Sequence, residues 1–264
     1  MKTLQQWRNV ARSLVAAGAA PSEVDFVDGW APQGRLPFDS ETAAGPSVSS
    51  DASALARPLH VPKSFVKLAE QVSSHRDPRR WTLLYPILWR ISHGQPDLLK
   101  LVTDDDVHSA ISWQQQVRRD AHKMKAFVRF RRAEIDGCEW FIAWYRPDHR
   151  IVPLVSRFFA DRFAAMNWSI LCPLESVSWD QQRLQYGPGV GRDAAPEEDE
   201  LESMWLTYYR STFNPARIKL KAMRAQMPLR YWSTLPEAQL IDQLVSEAPD
   251  RVAEMVRRRR RDEK

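Results

Sequence analysis

A chain of 264 residues with 44% hydrophobic and 27% charged residues can bury one large core or two small ones, which excludes disorder throughout. Its formal charge of +5 is modest for the length, so local patches carry the electrostatic argument. Two cysteines, Cys138 and Cys172, are too few for a disulfide framework or a Cys-based zinc site and fit a reducing, cytoplasmic location, and no apolar run is long enough to span a bilayer.

Residues 3–18 read as a helix with Leu4, Trp7, Ala11, Leu14 and Val15 on one face. The apolar run after Arg12 is too short and charge-interrupted for an export signal. Residues 1–27 are expected to form a separable N-terminal helical segment, followed by a Pro/Gly/Ser-rich linker over 28–58, one α+β domain over 59–255 and a basic tail over 256–264. Helical spacing resumes from Pro62 to about Leu101, where Pro78, Pro86 and Pro96 predict short helices or a kink.

Asp104, Asp105 and Asp106 suit the start of a helix running to about Lys123, with Val107, Ala110, Val117, Ala121 and Met124 inward. Arg118, His122 and Lys125 repeat at i, i+4 and i+7 and are expected at the edge of that core. They open a run, 118–132, in which seven Lys/Arg face one acid and alternate with aromatics, a pattern that can hold phosphates and stack bases. Asp136-Gly137 then predicts a two-residue hairpin turn between strands 125–134 and 138–146. In that register Arg129 lies opposite Trp144, Phe130 opposite Ala143, Val128 opposite Tyr145 and Phe127 opposite Arg146. One face is apolar. The other mixes Arg129, Arg131 and Arg146 with Phe127, Trp140 and Trp144, either open for binding or packed under a helix with the arginines snorkelling outward.

A helix over 151–166 and short strands near 168–172, 176–179 and 184–186 complete an α+β fold, a central antiparallel sheet flanked by mostly helical N- and C-terminal regions. Helical spacing returns over 198–212, and Asn214-Pro215 then predicts the start of a second basic helix, with Arg217, Lys221 and Arg224 beside an apolar stripe. Asn214, Arg217, Lys219 and Lys221 are together a candidate phosphate site at that helix start. A helix over 237–248 precedes the arginine run 257–261, which reads as a nonspecific polyanion tail.

The chain carries no Gly-rich phosphate loop, no nucleophile elbow and no His-Glu-x-x-His, so no catalytic signature can be read. His122 and His149 are weak acid–base candidates, with Asp120 or Asp148 as partners. Asp104, Asp105 and Asp106 could hold Mg²⁺, but helix capping accounts for them, and no metal or cofactor is expected.

Four segments carry a family resemblance: RRDAHKMKAFVRFR from Arg118, FIAWYRPDHRIV from Phe141, FFADRFAAMNWSILCP from Phe158 and YYRSTFNPARIKLKAMRAQMPLRYWSTLPEA from Tyr208. In this order the chain resembles a bacterial DNA-repair or DNA-metabolism family built on a domain of unknown function, over most of residues 60 to 255. The resemblance implies a DNA context. Relatives occur beside a DNA-modification radical-SAM protein, and longer ones continue into a uracil-DNA glycosylase-type domain. It supplies no catalytic residue, and with no three-cysteine cluster motif here, radical chemistry would belong to a partner.

The expectation is therefore a DNA-binding accessory protein for single-stranded or damaged DNA. Arg118, Arg119, His122, Lys123, Lys125, Arg129 and Arg131 would form one wall of a basic groove, Arg217, Lys219, Lys221 and Arg224 the other, with Trp140 or Trp144 stacking a base. The alternatives are a glycosylase- or nuclease-type enzyme using His122 or His149, and an adaptor for a glycosylase or radical-SAM partner.

Overall fold

A computed structural model describes residues 3–26, 59–194, 206, 210, 223, 227–253 and 257. It divides into two compact units, Met1–His122 with Asp148–Leu154, and Lys123–Pro147 with Val155–Lys264.

The first unit is helical. Helix α1, Leu4–Ala16, starts at a capping box in which Thr3 Oγ1 accepts from the Gln6 N–H while the Gln6 side chain accepts from the Thr3 N–H. Helix α2 is Lys63–Val72 and α3 is Arg80–Ser92. Pro86 interrupts the hydrogen bonding of α3, at an intrinsic cost of roughly 3 kcal/mol. Burial offsets it: Trp81, Leu84, Tyr85, Ile87, Leu88 and Ile91 all lie inside, making α3 the hub of the unit. Trp7 of α1 stacks on Trp81 at 6.2 Å, and Phe26 meets Tyr85 edge-on at 5.4 Å, so α1 shares a core with α2 and α3.

Helix α4, Asp105–Phe127, is a single rod of 23 residues. Asp104 Oδ1 accepts from the Val107 N–H at 3.2 Å, and its other oxygen pairs with Arg90 Nη1 at 2.7 Å, so the acid caps the helix.

The second unit is built on a five-stranded sheet in the order β1 Arg131–Ile135, β2 Cys138–Trp144, β3 Trp168–Leu171, β4 Glu175–Trp179 and β5 Leu184–Pro188. Asp136 and Gly137 both take positive φ, 51° and 73°, as a tight hairpin turn of the primed type requires. The ladder pairs Arg131 with Ile142 and Ile135 with Cys138, the offset expected from that turn. Its extent differs. Strand β1 begins at Arg131 instead of 125, because the helical pattern continues through Phe127 and the Val128 N–H still donates to the Met124 carbonyl. Phe127 to Phe130 therefore stand outside the ladder, opposite none of the partners expected for them.

The sheet is also mixed. Strands β2 and β3 run parallel, Phe141 beside Trp168 and Trp144 beside Leu171, and helix α5, Val152–Arg162, lies in the crossover between them. The remaining pairings are antiparallel, and the class is α+β. One face of the sheet is inward, with Ala143, Trp168, Ile170 and Val177 buried and Phe159 and Phe130 packed on Trp168. Helix Ala238–Ser246 follows a 3₁₀ turn at Leu229–Thr234, whose Tyr231 stacks on Phe127 at 5.4 Å and on Tyr145 at 5.5 Å. Of the helices expected over 198–212 and from Asn214, Leu206, Arg210 and Met223 are described and helical, while Asn214, Arg217, Lys219, Lys221 and Arg224 lie outside the described residues.

Candidate nucleic-acid interface

The exposed side of α4 presents Arg118, Arg119, His122 and Lys125, with Lys123 partly buried beside them. Arg118 and Lys125 directly follow the buried Val117 and Met124, and one residue turns the helix by about 100°, which carries the cations out of the core. They thus face solvent, whereas their i, i+4, i+7 spacing predicts the core's edge. None of these five has a carboxylate partner among the described residues. Lys125 Nζ instead lies 4.7 Å from the ring centre of Phe158, an aromatic that is 38% exposed.

Arg129 has a structural task. Its Nη2 donates to Glu237 Oε1 at 2.7 Å and its Nη1 to the carbonyls of Ala126 and Val128, which fixes the chain where α4 gives way to β1. Arg131, Trp140 and Trp144 come together on one face of the hairpin, since Arg131 pairs with Ile142 and residues 140, 142 and 144 share a side of β2. All three side chains are partly buried there, and the Trp144 indole N–H is enclosed without a hydrogen-bond partner among the described residues.

His149 lies in a buried polar cluster of the first unit, 5% exposed, whereas His122 is exposed on α4. The His149 ring rests on that of His75 at 4.5 Å, and His75 stacks on Trp113 at 4.2 Å and 13°. His149 Nδ1 accepts from the Arg76 N–H, and His75 Nδ1 accepts from the Asp77 N–H, both at 3.2 Å. The His75 proton therefore sits on Nε2, 3.5 Å from Gln116 Oε1. Burial pushes the His75 pKa down, against the hydrogen bond that its Nε2–H donates to Gln116. Asp120, buried on α4, accepts from the N–H groups of Asp148 and His149 through one oxygen, 2.8 Å each. Together these bonds stitch residues 74–77 and 148–150 to α4. His75, Trp113 and Gln116 carry no local signature that singles them out, because 73 residues of chain separate Arg76 from the ring it contacts.

Among the described residues no group of three or more His, Cys, Asp or Glu is placed to hold a metal ion, and no helix is long and apolar enough to cross a membrane. A family model described as a domain of unknown function, DUF4130, matches residues 78–237, more than half of the chain. The chain belongs to this family. In this DUF4130 chain the match takes in α3, α4 and the whole sheet. Helices α1 and α2, and His75 of the polar cluster, precede it. Comparison with the curated proteins and with the solved structures returns no match.

Proposed function

We propose that this DUF4130 protein binds DNA and serves as an accessory in repair or base modification, holding single-stranded or damaged DNA for a partner enzyme. The observation that carries this reading is the row of cations on α4 that face solvent with no acid among the described residues to neutralise them. A row of solvent-facing cations without neighbouring acids is suited to successive phosphates. The resemblance to a DNA-repair family supports the same partner, and a radical-SAM protein or a glycosylase-type domain is the enzyme this reading would serve.

The roles divide by environment. Arg118, Arg119, Lys123 and Lys125 contact phosphates, and His122 joins them as a hydrogen-bond donor. Trp140 and Trp144 act as a base platform only where their partly covered face opens. Catalysis ranks second: His149 is enclosed with one ring nitrogen taken up by a backbone N–H, a placement that fits a pin better than a proton shuttle. Titrating labelled single- and double-stranded oligonucleotides with the protein at low and rising salt tests the reading. Loss of binding in Arg118→Glu/Arg119→Glu/Lys123→Glu supports it, and absence of binding at low salt removes it.

A further inference from the structure

The first unit carries a small groove, open to solvent, lined by residues of α1, α2 and α3. Trp7, Phe65, Val66 and Leu88 belong to its apolar walls, and the charged side chains lining it are Arg8 and Arg12. These lie one turn apart on α1, a helix with no Asp or Glu of its own. Neither guanidinium has a carboxylate partner among the described residues. Trp7, whose ring forms part of the wall, is itself only 1% exposed. An apolar slot with two cations on one face, unneutralised among the described residues, asks for one kind of occupant.

We infer that the groove binds a small anionic amphiphile, a short apolar chain or ring that ends in a carboxylate. The apolar part covers Phe65, Val66 and Leu88, while the carboxylate neutralises Arg8 and Arg12 through charge-assisted hydrogen bonds. A neutral apolar molecule would leave two like charges facing each other at i, i+4. A nucleic-acid strand would use the arginines but leave the apolar walls in water. An ammonium would be repelled. The inference stands independently of the DNA reading.

The full-length protein is titrated with octanoate, octanol and octylamine, following heat release and the Trp7 indole resonance, assigned by its loss in Trp7→Phe. Octanoate is expected to saturate and move that resonance, binding at least ten-fold more tightly than octylamine, with octanol between. Arg8→Glu/Arg12→Glu should invert the order, and Val66→Trp, which fills the slot, should abolish octanoate binding. The charge-reversed pair lies on exposed and partly exposed positions, so it reports even where Val66→Trp fails to fold. Equal affinity for the three probes, no saturation by octanoate, octanoate binding unchanged in the charge-reversed variant, or its displacement by an oligothymidylate would overturn the inference.

Discussion

Arg129 and Glu237, 108 residues apart in sequence, close an ion pair of 2.7 Å in which the Glu237 side chain is only 5% exposed. Arg129 belongs to the basic run that marks this chain, yet its charge is used to join the end of α4 to the segment before helix Ala238–Ser246.

Removing one member of that pair leaves the other charge poorly solvated. Glu237→Gln is expected to destabilise the protein by about 2 kcal/mol, read as a shift in the urea midpoint with an unchanged slope. Arg129→Met/Glu237→Leu should recover part of the loss, because it leaves neither member of the pair charged without the other, while the Ala126 and Val128 carbonyls still lose their donor. Equal destabilisation by the single and double variants would show that the pair contributes through packing alone.

The buried imidazole of His75 gives the fold an acid-side weakness. Its pKa is lowered by burial, so as pH falls below the ordinary value of 6.5 the unfolded chain takes up the proton first. Its contribution is fully present above pH 6.5 and is lost as pH falls from there towards the depressed folded value. Urea unfolding at about pH 7.5 and about pH 5 should show a drop in stability in the wild type that is smaller in His75→Phe, which retains a ring against Trp113. An identical drop in both proteins would assign the acid sensitivity elsewhere.

Tyr85 is expected to weaken the fold in alkali. Its hydroxyl donates to the Ala19 carbonyl at 2.8 Å, and burial, with a smaller push from Glu23, raises its pKa from 10.0 to about 12. The folded state keeps this proton while the unfolded chain loses it, so stability is intact below pH 10 and declines as pH rises from 10 to about 12. Tyr85→Phe should lose about 1 kcal/mol near neutral pH, from the missing hydrogen bond, and show a shallower decline above about pH 10. Thermal unfolding across that range checks both parts.

Local signals were well legible in the sequence. Asp136-Gly137 specified the turn and with it the offset of the hairpin, because positive φ at two adjacent residues admits few residue types. The stretch from Lys125 to Phe130 was less decisive, since its alternation suits a strand while its side chains also continue a helix, and packing of Met124 resolves it as helix through Phe127. The parallel pairing of β2 with β3 depends on the α5 crossover, a tertiary choice with no local mark. The same holds for the site. Arg118, His122 and Lys125 could be singled out by spacing, whereas the Glu237 partner of Arg129 and the His75 stack beneath His149 arise only when distant segments meet.

The salt dependence of single-stranded DNA binding bears most directly on the proposed role of α4. The wild-type association constant should fall linearly on a log–log plot against salt, and Arg118→Glu/Arg119→Glu/Lys123→Glu should bind far more weakly, with a slope shallower by about 0.7 for each phosphate that is no longer neutralised. The variant should keep its wild-type unfolding midpoint, because these side chains make no ion pair among the described residues. A wild-type protein that fails to bind DNA at low salt, or a triple variant that binds with the same affinity and slope, would contradict DNA binding through this face.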